Sequence, residues 1–437
     1  MSPESLVELL FSRLNEAERH AITLSIREAE ARGEPLYLVG GSVRDLLLGR
    51  PQLDLDLALE GDALALAQRL AAALGARATL HRRFGTSTVR GAGFSLDLAR
   101  TRSETYLRPG ALPSVRPASV VQDLARRDFT VNAMALALSR SQAGQLLDPH
   151  GGCGDLERRS LRVLHDRSFQ DDATRILRCL RYEARLGFRP ERRTMALLRR
   201  GLSYLDTISG TRLRRELLAL CGLDGAARAL GRARALGVLT AIHPALSWDG
   251  RRSRALRRLR GWRLASEEAC LCLLAAAHSN DRQGLVDRLA LRGAAGRAVL
   301  DFGRLAQGAA LSQRDPTPSR VAAALTGYSV PALAAFAALA AQPVSGRILW
   351  YLRRGRLVRT ALDGRDLMAL GVPAGPGLGA LLTRLLEARL DGLVASRREE
   401  VALVRAALRS ETDPSSRGAG RPDRKRPSRR PTTAVGA

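Results

Sequence analysis

The stretch from Tyr37 to Glu60 reads YLVGGSVRDLLLGRPQLDLDLALE, and it decides how the first part of this chain is interpreted. An apolar run ends in Gly40 and Gly41, and an alternating segment farther along presents Asp54 and Asp56. Because residues two apart in a strand point to the same face, the pattern predicts two carboxylates side by side. Such a pair repels unless a cation neutralises it, and hard oxygen ligands favour Mg²⁺. The stretch therefore predicts a magnesium site at Asp54 and Asp56.

The glycine pair predicts a phosphate site next to this cation site. A glycine turn ahead of a helix N-terminus exposes backbone N–H groups to a phosphate. Leu53, Leu55 and Leu57 are expected to bury the opposite face of the strand, which aims both carboxylates into one open space. Phosphoryl transfer needs both sites. The alternative is an Asp-x-Asp pair on a solvated strand, which leaves the glycine turn without a role.

The same stretch resembles the first motif of the class II nucleotidyltransferases, the CCA-adding and poly(A) polymerase family of the polymerase β-like fold. Two later segments are similar to further motifs of that family, in the same order: LARRDFTVNAMA from Leu124 to Ala135, and FQDDATRILRCLRYEARLGF from Phe169 to Phe188. The resemblance implies Mg²⁺ as cofactor, CTP and ATP as substrates, and a tRNA or other RNA 3′ end as acceptor. It also implies that Gly40, Gly41 and Arg44 bind the triphosphate.

The second motif carries the RRD element of the family, which contacts the ribose and the triphosphate. The resemblance implies that Arg127 lies on phosphate, that Asp128 lies near the sugar hydroxyls, and that Asn132 supports the site. Taken alone, Arg126, Arg127 and Asp128 would be interpreted as an ion-pair cluster at a helix start.

The third motif predicts a charged helix face. Asp172, Arg175, Arg178 and Arg181 recur every three residues opposite an apolar stripe. A carboxylate accepts and a guanidinium donates in a fixed plane, so the two can match the edge of a nucleobase. By resemblance, Asp172 and Arg175 select C and A over G and U, and Asp171 replaces the usual Glu of the family in a supporting contact. The alternative is an ordinary exposed Asp–Arg pair at i, i+3, of about 0.2–0.5 kcal/mol.

Asp97 lies on another alternating segment between the first two motifs. It is a candidate third catalytic carboxylate that helps to deprotonate the attacking hydroxyl. The alternative is a structural partner of Arg100 or Arg102.

The run from Arg102 to Pro117 is rich in Pro, Gly and Ser and predicts a long loop. The family has a flexible element at this place, which helps to reshape the pocket between C and A addition. Enzymes that add only CC tend to have it shortened, so its length here argues against that type.

The formal net charge of +27 predicts a polyanionic partner, of which nucleic acid is the commonest. Only 4% of the residues are aromatic, which favours phosphate contacts over base stacking. The basic segment from Arg251 to Arg263 either faces RNA or is a solvated helix.

The cysteines and apolar runs predict a cytoplasmic protein without membrane contact. The five cysteines form no CxxC pair, which indicates free thiols in a reducing compartment. Glu4 and Glu8 stand where a signal peptide would be basic, and the run from Val330 to Ala341 is shorter than the ~20 residues that span a bilayer.

The order of patterns predicts an α/β polymerase β-like nucleotidyltransferase head followed by all-α neck, body and tail domains. The last, basic segment is expected to be disordered, either as an electrostatic RNA tether or as an inert extension. The expected boundaries are 1–33 for an N-terminal helical segment, 34–150 for the head, 151–225 for the base-reading neck, 226–345 for the RNA-binding body, 346–408 for the tail domain and 409–437 for the disordered basic tail.

The patterns together predict a template-independent RNA nucleotidyltransferase that adds CCA, or its terminal A, to tRNA 3′ ends. The segment FGTSTV from Phe84 to Val89 resembles the CCA- and A-adding branch more than the poly(A) polymerases, which stay an alternative. A non-catalytic RNA-binding relative is a second alternative, against which the intact Asp54 and Asp56 argue. A glycosyltransferase would explain the Asp-x-Asp pair alone.

Overall fold

The computed structural model describes residues 3–51, 54–139, 142–275, 281–307 and 315–412. Leu53 and nearly all of the predicted disordered basic tail lie outside the described residues.

The first part of the chain is an α/β unit built on one mixed sheet. Two helices precede the sheet, and a capping box starts the second of them, because the Asn15 side chain accepts from the Glu18 N–H while the Glu18 carboxylate accepts from the Asn15 N–H. The elements are α1 (Pro3–Arg13), α2 (Glu16–Glu30), β1 (Leu36–Val39), α3 (Gly41–Leu47), β2 (Leu55–Leu59), α4 (Ala63–Ala73), β3 (Arg77–His81), β4 (Thr86–Gly91), β5 (Phe94–Arg100), β6 (Arg102–Thr105), β7 (Ser114–Pro117), α5 (Val120–Ala125), β8 (Ala135–Ala137) and β9 (Leu146–Leu147).

The sheet has seven strands in the order β3-β4-β5-β2-β1-β8-β9. β2 and β5 run parallel, and every other neighbouring pair is antiparallel. Leu57 of β2 belongs to one continuous core with Leu10 and Ile22 of the N-terminal helices and Leu66 of α4. The predicted N-terminal segment 1–33 therefore shares its core with the sheet.

The predicted long loop from 102 to 117 is wrong in part, because its two ends form a separate hairpin. β6 pairs antiparallel with β7, with Arg102 opposite Pro117 and Thr105 opposite Ser114. Neither strand has alternating apolar residues. Glu104 accepts from Arg102 of the same strand and from Arg126 beyond the hairpin, each at 2.9 Å. A hairpin without an apolar face leaves no hydrophobic periodicity in the sequence.

The rest of the chain is almost entirely helical, so the predicted α/β head followed by helices is confirmed. The expectation of helices alone after residue 150 is wrong where two short strands, Ser160–Leu161 and Arg189–Pro190, pair in parallel. The elements are α6 (Gly152–Glu157), β10 (Ser160–Leu161), α7 (Ser168–Asp171), α8 (Thr174–Leu186), β11 (Arg189–Pro190), α9 (Arg192–Arg200), α10 (Gly210–Cys221), α11 (Ala226–Ala235), α12 (Val238–Ile242), α13 (Gly250–Gly261), α14 (Glu267–Leu274), α15 (Arg282–Arg288), α16 (Gly293–Gln307), α17 (Pro318–Leu325), α18 (Val330–Leu339), α19 (Val344–Arg353), α20 (Gly364–Ala369), α21 (Pro376–Leu390) and α22 (Arg397–Thr412).

The described chain divides into two compact units. The first contains the residues up to Gln307 together with α18, and the second contains α17 and the helices from α19 onward. In the second unit Leu362, Leu367, Leu385 and Val404 form the centre of a core of its own. The six segments expected from the sequence are finer than this division and stay a prediction.

Among the described residues, no single helix has the length and apolar composition needed to cross a membrane; α17 and α18 meet such a test only when combined. All five cysteines are free thiols, and four of them are buried.

Candidate active site

Gly40 forms the turn between β1 and α3 in a conformation that favours glycine. Its φ is 68°, in the left-handed region, and its N–H donates to the Met134 carbonyl at 3.1 Å. A Cβ at Gly40 would collide with Nη1 of Arg127. The glycine turn of the first motif is thus packed directly against the second motif.

Ser42 ties this turn to the carboxylate strand. The buried Ser42 hydroxyl donates to the Asp54 carbonyl and accepts from the Asp56 N–H at 3.0 Å. One side chain therefore sets the backbone of both predicted metal-binding residues relative to the start of α3.

Asp56 lies where negative charge is crowded. Burial, followed by the charge of Asp97 and more weakly that of Asp54, raises the pKa of Asp56 to about 6, although Arg127 opposes the shift. Asp97 lies opposite Asp56 in the parallel β2–β5 register; its side chain is exposed and accepts from the Thr88 hydroxyl at 2.5 Å. A cation placed here would relieve this repulsion.

Asp54 and Asp56 suit a cation that takes most of its ligands from water and substrate. Within the described ranges, no group of three or more His, Cys, Asp or Glu side chains is arranged to hold a metal. Mg²⁺ is commonly held by one or two carboxylates, with water and substrate phosphates as the remaining ligands. Asp54 and Asp56 match this arrangement.

The two arginines of the second motif are fixed by Asp123 of α5. The Asp123 carboxylate accepts from Nη2 of Arg126 at 2.6 Å and from Nη2 of Arg127 at 3.0 Å. The ion-pair cluster considered for this motif exists, but it forms at the end of a helix. Both arginines also line the same cleft as the first motif, so pairing and a nucleotide-binding role are compatible.

A buried network joins the first and second motifs. Arg44 donates to Asp45 from Nε and Nη2, at 2.9 and 2.8 Å, and from Nη1 to the Asn132 amide oxygen at 2.5 Å. The Asn132 amide nitrogen in turn donates to Asp128 at 2.9 Å. Asn132 thus supports the site by joining Arg44 to Asp128.

Asp128 continues this network to the third motif. Nε of Arg178 donates to the Asp128 carboxylate at 2.7 Å. Burial alone would raise the pKa of Asp128, but the charge of Arg178 and hydrogen bonds from Asn132 and Arg178 lower it to about 2. Asp128 is therefore a permanent anion in the wall of the site.

Asp172 and Arg175 lie in the same cleft but bind other partners. Asp172 precedes α8 and accepts from the Thr174 hydroxyl at 2.7 Å and from Nη2 of Arg212 at 2.6 Å. Arg175 is buried and donates to the Ser168 hydroxyl at 2.6 Å and to the Arg126 carbonyl at 2.7 Å. The two residues of the proposed base-reading pair are thus held by different elements, Asp172 by Arg212 of α10 and Arg175 by Ser168 of α7.

These residues surround one cleft of about 740 Å³. Ten arginines and seven carboxylates line it, an excess of three positive charges. Gly40 and Asp97 lie outside its lining. The predicted site residues that do line it are Gly41, Arg44, Asp54, Asp56, Arg127, Asp128, Asn132, Asp172, Arg175, Arg178 and Arg181.

Several residues with a part in this geometry were not predicted. Asp123 had a local signal, because it precedes Arg126 and Arg127 by three and four positions on a helix. Ser42 and Arg212 had none, since each acts through a partner that only the folded chain brings near.

The part of the chain that contains the sheet matches a known family. Residues 36–162 match the model of the poly A polymerase head domain. The A-adding tRNA nucleotidyltransferase of Geobacter sulfurreducens is 33% identical over 393 residues, which cover 85% of this chain and 45% of that protein. The CC-adding tRNA nucleotidyltransferase of Deinococcus radiodurans is 34% identical over 375 residues, which cover 85% of this chain and 89% of that protein.

Solved structures agree with these matches. A CCA-adding enzyme in its apo form II superposes with a TM-score of 0.76 at 29% identity, over 92% of this chain and 99% of that chain. The Thermotoga maritima CCA-adding enzyme in complex with tRNA superposes with a TM-score of 0.70 at 29% identity, over 92% of this chain and 98% of that chain.

The length of the match differs among relatives. The chain spans less than half the length of the A-adding relatives from Geobacter sulfurreducens, Halalkalibacterium halodurans and Aquifex aeolicus. It spans nearly all of the Deinococcus protein at 34% identity. With the three motifs gathered in one cleft and a fold shared along 92% of the chain, this likeness shows that the chain belongs to the class II tRNA nucleotidyltransferase family.

Proposed function

We propose that this chain is a template-independent nucleotidyltransferase that adds CCA, or its terminal A, to the 3′ end of tRNA from CTP and ATP. The observation that carries the proposal is the cleft itself, which is lined by Asp54, Asp56 and ten arginines, with Asp97 opposite Asp56 in the β2–β5 register. Carboxylates that need a cation, next to guanidiniums that attract phosphate, suit phosphoryl transfer.

The family generally uses a divalent metal, and we propose that Mg²⁺ is the metal here. Asp54 and Asp56 would hold it. When bound, it would supply positive charge to the attacking oxygen and to the leaving pyrophosphate. Asp97 is proposed as the third carboxylate, which would help to accept the proton of the RNA 3′ hydroxyl.

The arginine walls are proposed to bind and orient the nucleotide. The 3′ oxygen of the RNA attacks the α-phosphorus, and the bond from that phosphorus to the bridging oxygen of pyrophosphate breaks. Gly40, Gly41, Arg44 and Arg127 are proposed to hold the triphosphate. In the base-reading wall, Asp172 and Arg175 would contact the edge of C or A, and Asp128 would lie near the sugar hydroxyls.

The relatives bear the names of A-adding, CC-adding and CCA-adding enzymes, and one related structure is a complex with tRNA. These names favour tRNA as the acceptor over a poly(A) product. The β6–β7 hairpin supports the types that add A, since it occupies the place of the flexible element of the family. The buried free cysteines support a reducing, cytoplasmic location.

The experiment uses purified full-length protein, Mg²⁺ and three tRNA transcripts: one lacking the whole CCA end, one lacking only the terminal A, and one complete. Each transcript is offered CTP, ATP or both, and products are sized at single-nucleotide resolution. Addition of CCA to the first and A to the second, with no extension of the third, is the expected result. Addition of C alone would identify a CC-adding enzyme, and long A tails on the complete transcript a poly(A) polymerase.

Asp54→Ala serves as the matched control. It removes a proposed cation ligand, and because the Asp54 side chain is exposed, it removes no packing contact of the core. No incorporation by wild-type protein with any pair of RNA and nucleotide would contradict the proposal and leave the non-catalytic relative.

A further inference from the structure

Tyr182 of α8 is the place where the three motifs meet. The Cζ atoms of Arg44, Arg178 and Arg181 lie 5.4, 5.6 and 5.5 Å from the centroid of its ring. Phe129 of the second motif meets the same ring edge to face, with centroids 5.8 Å apart and planes at 85°. Cations within about 6 Å of an aromatic centroid are attracted by the negative face of the ring.

This ring is the feature that the three guanidiniums have in common. Three like charges at one place repel one another, and this repulsion is strong away from bulk water. Each arginine pairs with its own carboxylate, so no single anion gathers them. These partners are Asp45, Asp128 and Glu216.

Tyr182 contacts the arginines without cancelling their charge. Burial, and then the charge of Asp128, raise the pKa of the Tyr182 hydroxyl, so the phenol stays neutral. The hydroxyl accepts from Nη2 of Arg178 at 3.0 Å. A neutral ring therefore gathers the arginines without adding a fourth negative charge to the three carboxylates that already pair with them.

The third arginine has unused donor capacity. Within the described part of the chain, the Nε of Arg181 is buried and has no hydrogen-bond partner. Arg181 is held by the ring and, at 3.6 Å, by Glu216. All three arginines and Tyr182 line the cleft that contains Asp54 and Asp56.

We propose that Tyr182 is a positioning residue that holds Arg44, Arg178 and Arg181 together as one binding wall for the polyphosphate of the incoming nucleotide. The identity of that ligand rests on the proposed function. The ring acts through the arginines and does not touch the reacting atoms.

The test replaces Tyr182 by Phe, by Met, and by a series of increasingly fluorinated phenylalanines. Phe keeps the ring, Met fills similar volume without one, and fluorination weakens the negative face while preserving shape. The ligands are inorganic tripolyphosphate, ATP and adenosine, titrated by calorimetry without RNA. Phe188→Leu is the matched control, because it removes a buried aromatic ring near the end of the same helix, outside the cleft lining.

Tyr182→Met is expected to weaken the binding of tripolyphosphate and of ATP by about tenfold or more, because three cation–ring contacts are lost. The binding of adenosine should change little. The tripolyphosphate affinities of Tyr182→Phe and Phe188→Leu should stay within about threefold of wild type. Each added fluorine should weaken tripolyphosphate binding further. Should the Met variant fail to fold, the fluorinated series, which keeps the shape of the ring, decides the question.

Unchanged tripolyphosphate affinity across the fluorinated series would overturn the proposal, and so would an equal loss of adenosine and tripolyphosphate binding. Wild-type protein that binds tripolyphosphate but incorporates no nucleotide would contradict the proposed function alone. Wild-type protein that binds no tripolyphosphate would overturn both.

Discussion

The cleft and helix α13 are both rich in arginine, yet they use it in different ways. In α13, Arg251 donates to the Leu339 carbonyl at 3.0 Å and Arg258 to the Ala338 carbonyl at 3.2 Å, both at the end of α18. Arg260 donates to the Asp224 carbonyl at 2.7 Å and also to the Leu223 carbonyl. These arginines fasten α13 to the chain around it. The RNA-facing patch and the solvated helix both stay predictions for the rest of this segment.

In the cleft, the arginines are held by carboxylates around an open space. Arg44, Arg127 and Arg178 are each fixed by an aspartate, and the pKa of Asp56 is raised. Seven carboxylates offset most of the ten positive charges that line the cleft, whereas carbonyl groups order the arginines of α13 without neutralising them. The number of arginines therefore does not locate function; arginines ordered beside a carboxylate pair that needs a cation do.

The largest expected effect comes from replacing a carboxylate of the cleft, in contrast to replacing a carboxylate of α13. Asp54→Ala or Asp56→Ala should lower nucleotide incorporation by more than about a hundredfold, because the cation that stabilises the transition state is lost. Single-turnover assays with tRNA measure the rate. Asp249→Ala removes the N-cap of α13 and should instead cost about 1 kcal/mol of stability while sparing the rate. Rates above a few per cent of wild type in either cleft variant would contradict the metal assignment.

The next effect is a pH dependence of stability that belongs to the cleft. Folding raises the pKa of Asp56 from its ordinary value of 3.8 to about 6, so the folded chain binds this proton more tightly than the unfolded chain. Without divalent cations, wild-type protein should therefore lose on the order of 2 kcal/mol relative to Asp56→Asn as pH rises from about 4 to about 6. Urea unfolding of both proteins measures the difference, and Mg²⁺ above pH 6 should restore stability to wild type alone. A constant difference across this range would show that Asp56 is not crowded.

Base selection should depend on the cleft and not on exposed charge pairs elsewhere. Asp172→Ala should reduce the kcat/KM ratios of CTP over UTP and of ATP over GTP by about tenfold or more, because a hydrogen-bond partner of the base is lost. The surface pair of Asp166 with Arg193, at 2.6 Å, offers the matched control, and Asp166→Ala should leave both ratios unchanged. If Asp172→Ala lowers activity but keeps the ratios, the residue is a scaffold and selectivity lies elsewhere.

The smallest expected effect tests the assignment of α13 itself. Arg260→Ala should lower the free energy of unfolding by about 1 kcal/mol, because it leaves carbonyl groups without their donor. The exposed side chain of Arg257 makes no hydrogen bond or ion pair within the described chain, so Arg257→Ala should leave stability unchanged and weaken tRNA binding a few-fold at most. Thermal unfolding and filter binding measure the two quantities. Equal stability of both variants would show that Arg260 does not hold α13 in place and would favour the RNA-facing prediction.

Local chemistry was predictable wherever backbone geometry alone decides it. The period of a strand predicts Asp54 and Asp56 side by side, and both line the cleft, although Asp54 lies one residue before β2 begins at Leu55. Gly40 adopts the left-handed conformation that its turn requires. The order of the three motifs predicted a single site. The β6–β7 hairpin escaped prediction because its strands have no alternating apolar residues, so only the folded chain shows that Arg102–Thr105 pairs with Ser114–Pro117.

By itself, the sequence determined the α/β head followed by helices, the glycine turn and the family. Only the tertiary structure decided which partners the arginine side chains bind. Arg44 binds Asn132 across 88 residues, Arg178 binds Asp128 across 50, and Arg260 binds the carbonyls that follow α10. The reason is physical. The spacing of side chains along a helix or strand follows from the backbone and is visible in the sequence, whereas a buried polar group takes whichever partner the packing of distant elements brings within hydrogen-bond distance.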